Sequence, residues 1–155
     1  MQDLDLDAML AINRECEAQL WPIDLPGLAA LIDNAYYVAL TGDKAAMLIA
    51  FDETSAYDSP NFSWFKQRYP RFAYVDRVAV SPLARGRGNA RRLYEELFAK
   101  ARADGRRVVC AEVYFDPPNP ESDAFHAAMG FEEVGRAAVP ERGGKTVRYL
   151  VKMLT

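Results

Sequence analysis

The sequence is poor in cysteine and in metal ligands. It has two cysteines, Cys16 and Cys110, and a single histidine, His126. A structural zinc site usually takes four closely spaced cysteine or histidine ligands, and a disulfide framework needs several cysteines, so this inventory excludes both. The 155 residues, half of them hydrophobic, must therefore fold around an apolar core. We expect no metal among the functional groups.

Long apolar segments are also missing. The longest runs, such as 45–51, are far shorter than the roughly 20 residues that span a bilayer. The first residues are acidic, whereas a secretory signal would be basic. No repeat or flexible linker divides the chain. We therefore expect a single domain over residues 1–155, located in the reducing cytoplasm.

Positive charge is scarce outside one segment. The formal net charge is -3, yet segment 85–107 contains eight basic and three acidic residues. One basic segment on an acidic chain indicates a compact anionic ligand, because nucleic-acid-binding domains usually combine a basic face with a high pI. A solvated basic helix face is the alternative that composition leaves open.

Apolar periodicity and turn residues predict elements in the order α-α-β-β-β-α-β-α-β-β. Helices are expected at 6–20 (ended by Pro22), at 26–34 (capped by Asp24), at 88–103 and at 119–129. Strands are expected at 36–40, 45–51, 72–80, 107–115, 131–139 and 145–154, with turns at 41–44 and 141–144. Segment 52–71 should hold one short helix, and its aromatic residues should fill a gap over the core rather than line a binding site. These elements predict a mixed α/β fold.

The sharpest motif joins the 72–80 strand to the 88–103 helix. It consists of Arg85, Gly86, Arg87, Gly88, Asn89 and Ala90, which follow a V-x-V-x-P strand end. The N–H groups of a helix N-terminus are unpaired, the helix dipole adds partial positive charge, and glycine lets an anion approach the backbone. Arg85 and Arg87 would add charge-assisted hydrogen bonds. The loop therefore predicts a phosphate site.

Two common phosphate motifs do not fit this loop. A P-loop requires G-K-[ST], which is absent. A dinucleotide fingerprint, G-x-G-x-x-G, would need glycine at Arg91 and would open the first βαβ unit of a larger sheet.

The loop instead resembles that of the GNAT superfamily of acyl-CoA-dependent N-acetyltransferases, whose R-x-x-G-x-A pattern is matched by Arg85, Gly88 and Ala90. The next strand, the 119–129 helix, its Gly130-Phe131 exit and two closing strands follow in the family's order. Segment 117–126, P-P-N-P-x-S-x-A-F-H, is similar to a bacterial subgroup of acetyltransferases. The resemblance implies a twisted, mostly antiparallel sheet with helices on both faces, splayed beside Val80 at the acyl-CoA site.

The same resemblance implies how coenzyme A is held. The backbone N–H groups from Arg85 to Ala90 would bind the pyrophosphate. The main chain of Val78, Ala79 and Val80 would pair with the pantetheine arm. Asn119 stands where the family has a pantetheine-contacting asparagine, although it also suits a plain helix N-cap, and one side chain can serve both roles.

Acetyl transfer to an amine needs a neutral amine, an oxyanion donor and a proton for the leaving thiolate. A backbone N–H near Val80 would serve the oxyanion. Asp76 lies where related enzymes often carry a glutamate base, and it would act through a water; simple pairing with Arg77 is an equal alternative. Glu112, a charged residue inside a strand, either orients a cationic acceptor or is paired structurally.

The sequence departs from the family at the general acid. His126 occupies the position of the usual thiolate-protonating tyrosine, and an imidazole with a pKa of about 6.5 can donate to a thiolate. The role can equally have moved to Tyr114 or to water, and a lone helix histidine is often structural. Cys16 and Cys110 are expected in the core.

We therefore expect an enzyme that transfers an acetyl group from acetyl-CoA to the primary amine of a small molecule, by direct attack in a ternary complex. A non-catalytic acyl-CoA sensor or interaction module is the first alternative, and an RNA-binding domain using segment 85–107 is the second. The acceptor has no diagnostic motif. A homodimer through the last strands is expected by analogy with the family.

Overall fold

A six-stranded sheet forms the middle of the structure, a computed structural model that describes residues 4–17, 20, 22–116, 119–139 and 143–154. The strands are β1 (Tyr37–Leu40), β2 (Ala46–Asp52), β3 (Ala73–Val80), β4 (Val108–Asp116), β5 (Glu132–Val139) and β6 (Lys145–Met153). Their spatial order is β1-β2-β3-β4-β6-β5. Every neighbouring pair is antiparallel except β3 and β4, which are parallel. The predicted mostly antiparallel mixed sheet is confirmed.

Within the described residues, five α-helices connect and cover the strands. They are α1 (Leu6–Glu15), α2 (Leu25–Asp33), α3 (Pro60–Lys66), α4 (Asn89–Ala103) and α5 (Pro120–Ala128). Side-chain oxygens of Asp5, Asp24, Ser59 and Asn119 accept backbone N–H groups at the starts of α1, α2, α3 and α5, which explains where these helices begin. In the part of the chain that the structure describes, no helix is long and apolar enough to cross a membrane.

The predicted order of elements is confirmed, including the short helix in segment 52–71. Apart from α1, the predicted ranges agree with the observed ones to one residue at either end. The prediction for α1 was wrong: the helix ends at Glu15 rather than at position 20. Cys16 leaves the helical conformation (φ -113°, ψ 17°), and its thiol donates to the Val80 carbonyl at 3.4 Å. The prediction rested on the spacing of apolar residues, and that spacing does not reveal a contact with a distant strand.

Each face of the sheet carries its own apolar cluster. Residues of α1, α2 and α3, including Met9, Leu28 and Phe62, pack on one face. Residues of α4, including Leu93 and Leu97, pack on the other. Phe62 and Phe65 of the aromatic excursion are buried in the first cluster, as the gap-filling interpretation expected. Both cysteines are buried and unbridged.

The sheet splays between β3 and β4. These strands pair only from Ala73 with Val109 to Val75 with Ala111. Beyond that point β3 continues along β2, and β4 continues along β6. The edge of β3 from Asp76 to Val80 therefore faces an opening rather than a neighbouring strand. This is the splay expected beside Val80, and it positions the candidate site.

Some predicted features fall outside the described residues. Pro117 and Pro118 of the 117–126 motif do so, as do positions 141 and 142 of the last predicted turn. The similarity of this motif to one bacterial subgroup stays a prediction.

Candidate active site

The loop from β3 to α4 presents unpaired backbone N–H groups. Gly86 and Gly88 have φ of +79° and +77°, a left-handed conformation that favours glycine. Gly88 is the N-cap of α4 and no side chain caps the first turn. Among the described residues, no atom accepts from the amides of 86–91, and the first amide with an acceptor is that of Arg92, which donates to Gly88 O at 3.1 Å. The loop is therefore free to bind an anion through its main chain.

A buried asparagine fixes this loop to the helix. Asn89 is 3% exposed, and its Nδ2 donates to the Ala84 carbonyl at 3.5 Å. Its Oδ1 accepts from Arg92. These bonds hold the backbone before and after Gly88 in place, so the amides are positioned before any ligand arrives.

The loop opens onto a cleft of about 480 Å³. Its lining includes Val78, Ala79, Val80, Arg85, Gly86, Gly88, Asn89, Ala90 and Asn119, together with Cys16, Leu20, Ala84, Arg91, Glu121, Ser122, Phe125 and His126. All but one of the residues predicted to bind the cofactor thus line a single cleft. The exception is Arg87, an exposed residue outside this lining. The cleft runs from the N-terminus of α4, past the open edge of β3, to α5.

A second cavity, of about 100 Å³, lies in the splay between β3 and β4. Asp76, Glu112, Tyr114 and His126, the four candidate catalytic residues, all line it, although they come from β3, β4 and α5. The cavity shares Leu20, Val78, Asn119, Ser122 and His126 with the larger cleft. The two spaces therefore meet at α5 and β3, where a ligand of the cleft and a molecule in the cavity would come together.

The chain is similar to known proteins in sequence and in fold. A family model described as the acetyltransferase (GNAT) family matches residues 6–131. The chain belongs to this family. The predicted membership of the GNAT superfamily is thereby confirmed.

Three proteins illustrate what the chain is similar to. L-2,4-diaminobutyric acid acetyltransferase of Wolinella succinogenes is 28% identical over 102 residues, which are 65% of this chain and only 59% of that protein. A ribosomal-protein-alanine N-acetyltransferase from Brucella melitensis is 25% identical with a TM-score of 0.71, covering 97% of this chain and 94% of that one. The NatC complex bound to Gag peptide and CoA shares the fold, with 14% identity, a TM-score of 0.71 and coverage of 99% and 97%.

His126 is held by protein atoms at both ring nitrogens in this member of the GNAT family. Its Nδ1 lies 2.8 Å from Ser122 O and 3.3 Å from Ser122 Oγ. Its Nε2 lies 2.9 Å from the Tyr94 hydroxyl. The ring is 5% exposed, and burial lowers its pKa below the usual 6.5. The imidazole is therefore neutral at pH 7, and its role toward the sulfur depends on these two partners.

Asp76 makes the pairing that its sequence position left open. Its Oδ2 accepts from Arg77 Nε at 2.9 Å, and its Oδ1 accepts from the Tyr57 hydroxyl at 2.6 Å. The Asp76 side chain is 1% exposed. A carboxylate with both oxygens engaged is a structural anchor of β3, and proton abstraction would go through a water or through Tyr57. Its role as the base stays a prediction.

The other two candidates stand on β4. Glu112 Oε1 accepts from the Tyr74 hydroxyl at 2.7 Å and from Asn61 Nδ2 at 3.3 Å. Its charge raises the pKa of Tyr74, although burial is the larger cause. Tyr114 is nearly buried, with Lys145 Nζ 4.8 Å from its ring centre. Glu112 thus supplies negative charge to the cavity, and Tyr114 supplies part of its wall.

Sequence reasoning missed several residues of the site, and three of them make hydrogen bonds there. Cys16 was assigned to the core and is buried, but it also lines the cleft, where its thiol meets Val80 O. Ser122 lines both spaces, and Tyr94 lines the cavity. The i, i+4 spacing of Ser122 and His126 on one helix could have linked those two. Nothing in the sequence pairs Tyr94 on α4 with His126 on α5.

Proposed function

We propose that this enzyme takes the acetyl group from acetyl-CoA and transfers it to the primary amine of a small molecule. One observation carries the proposal: the free amides of the β3–α4 loop open onto a cleft that joins the splay cavity beside Val80. A diphosphate fits the loop because its oxygens need N–H donors and close approach at Gly86 and Gly88. A Cβ at either glycine would meet no protein atom within 4 Å, so that space is open.

The open edge of β3 suits an extended chain such as pantetheine. Amides and carbonyls along Asp76–Val80 that do not bond to β2 face the splay and can pair with amide groups of a ligand, as in strand addition. The Val80 carbonyl already accepts from the Cys16 thiol. Asn119 caps α5 through Oδ1, which accepts from Ser122 N–H at 3.3 Å. Its amide NH₂ is the part that would contact pantetheine.

The acceptor amine would enter the splay cavity. Asp76, Arg77 and Glu112 line this cavity. Arg77 pairs with Asp76, so Glu112 leaves the lining with a net negative charge, which favours a cationic molecule. Its small volume, about 100 Å³, favours a small amine. The Wolinella relative is named for a small diamino acid, which agrees with this choice, whereas the Brucella relative is named for an alanine of a ribosomal protein.

Transfer would be direct. The amine nitrogen bonds to the acetyl carbon, the carbon–sulfur bond breaks with its electron pair on sulfur, and the proton lost by the amine balances the thiolate. Asp76 would take that proton through a water, and a backbone N–H near Val80 would face the carbonyl oxygen.

The unbridged thiols of Cys16 and Cys110 suit a reducing cytoplasm. Edge strand β5 is the surface along which two copies would pair, as expected for a homodimer.

The test combines titration calorimetry with CoA and an assay of thiol released from acetyl-CoA across a panel of small amines, diamines and peptides with N-terminal alanine. We expect CoA binding and amine-dependent thiol release that is fastest with a small cationic amine. Binding of CoA without release for any amine would support the sensor alternative instead. Faster release with the peptides would overturn the small-molecule acceptor.

A further inference from the structure

Ser122 lies where the cleft and the cavity meet. It is on the first turn of α5, one helical turn before His126, and it lines both spaces. The helix presents Ser122 and His126 on the same side because residues four apart are neighbours on a helix. A sulfur that passes from the cleft to the cavity would therefore pass Ser122.

The hydrogen bonds of His126 determine which atoms carry protons. The Ser122 carbonyl, 2.8 Å from Nδ1, can only accept, so Nδ1 carries the hydrogen. In a neutral ring Nε2 then has the lone pair, and the Tyr94 hydroxyl, 2.9 Å away, donates to it. Burial raises the pKa of Tyr94, which keeps the phenol protonated. His126 is left with no N–H directed toward the cleft.

The same geometry directs the hydroxyl hydrogen of Ser122 away from the imidazole ring. Ser122 Oγ lies 3.3 Å from His126 Nδ1, as a second acceptor of that N–H. An oxygen that accepts from the ring directs its own O–H away from the ring, and Ser122 borders both the cleft and the cavity, where a ligand can accept from it. The two consecutive hydrogen bonds, from Tyr94 to His126 and from His126 to Ser122, also strengthen one another.

We propose that Ser122 donates its hydroxyl hydrogen bond to the leaving sulfur, and that His126 and Tyr94 are positioning residues that hold this hydroxyl in place. The inference rests on the proposed function, since it requires acetyl-CoA in the cleft. Ser122 keeps its proton throughout. The bond stabilises the electron pair that sulfur receives when the carbon–sulfur bond breaks, and the amine proton later neutralises the thiolate.

The test reads the pKa of the CoA thiol while CoA is bound, so it needs no acceptor. Thiolate absorbance is titrated for the CoA complex, with the dethio-CoA complex subtracted as the reference. A donor to the thiolate lowers this pKa. We expect Ser122→Ala to raise it by about one unit, a tenfold loss of ionisation, and Ser122→Thr to restore it. The charges of Arg85, Arg91 and Glu121 line the same cleft and are unchanged in these variants.

Tyr94→Phe should raise the thiol pKa in the same direction by a smaller amount, because it removes only the donor to Nε2. Tyr36→Phe is the matched control: its hydroxyl donates to Asp104 at the far end of α4, so the thiol pKa should stay at the wild-type value. A purely structural role of Tyr94 would change the stability of the protein without moving the thiol pKa.

The outcomes separate this inference from the proposed function. If the wild-type protein binds neither CoA nor dethio-CoA, the proposed function fails. If CoA binds but Ser122→Ala has the wild-type thiol pKa, the role of Ser122 is refuted while the proposed function stands. If Ser122→Ala loses affinity for CoA and dethio-CoA equally, Ser122 serves binding rather than the sulfur, and the inference is again refuted.

Discussion

Gly88→Ala separates the anion-binding role of the β3–α4 loop from its role in folding. Gly88 has φ of +77°, a conformation that costs an alanine about 1 kcal/mol. A Cβ at this position would meet no protein atom within 4 Å, so no clash adds to that strain. For a domain of this length, 1 kcal/mol corresponds to a fall in Tm of roughly 2–4 °C. The variant should therefore fold.

The effect on CoA should be much larger than the effect on folding. The added methyl group would occupy open space at the wall of the cleft, where phosphate oxygens must come close to the backbone. We expect at least a tenfold rise in the Kd for CoA, equivalent to about 1.4 kcal/mol. Titration calorimetry measures the affinity, and urea unfolding measures the stability.

Gly143→Ala supplies the matched control. Gly143 has φ of +71°, and a Cβ there would also meet nothing within 4 Å. It lies just before β6, and it is not among the residues that line the cleft. We expect the same loss of stability with unchanged affinity for CoA. Equal affinities in the two variants would refute the assignment of the loop as the diphosphate site.

Three further predictions concern the site. Asp76→Asn should destabilise the protein by about 3 kcal/mol in urea unfolding, because it removes the carboxylate from the buried Arg77 guanidinium. The control, Glu95→Gln, changes an exposed pair with Arg91 and should leave the unfolding midpoint unchanged. Equal effects of the two substitutions would contradict the anchoring role of Asp76. Asn119→Ala should lower the free energy of unfolding by about 1 kcal/mol, because it removes the cap of α5. Asn119→Ser should restore the stability but still bind CoA weakly. Wild-type affinity for CoA in the serine variant would exclude a pantetheine contact. Burial lowers the pKa of His126 below 6.5, so as the pH falls this histidine is protonated in the unfolded chain before it is protonated in the folded protein. The contribution of His126 to stability should therefore be complete above about pH 6.5 and decline below that pH. A His126→Gln variant with the same decline would show that other groups cause the decline.

Local features of the sequence were sufficient to predict the secondary structure except for the end of α1. The capping residues Asp24 and Asn119 and the alternation in β3 act over a few positions, and the structure has these elements where they were predicted. The loop motif could also be recognised in the sequence, because Gly86 and Gly88 take left-handed conformations that residues with side chains disfavour. The end of α1 was misplaced: the helix ends at Glu15, and the next residue, Cys16, bonds to Val80, 64 positions away.

The hydrogen-bond partners of the candidate catalytic residues could not be predicted from the sequence. Asp76 was recognised as a carboxylate near Val80, but its hydroxyl partner Tyr57 comes from a different part of the chain. His126 was recognised by position, yet its partner Tyr94 lies 32 residues earlier on another helix. Periodicity shows which side of a helix is buried, and it does not show which side chain of another helix lies opposite.

By itself, then, the sequence determined the order of helices and strands and the glycine loop between β3 and α4, because backbone conformation and helix capping are set by neighbouring residues. Only the tertiary structure decided that β3 and β4 part after Val75, that the cleft and the cavity meet at α5, and that His126 is neutral and engaged at both nitrogens. Those properties depend on strand pairing, burial and contacts between separate elements, which arise only when the whole core packs.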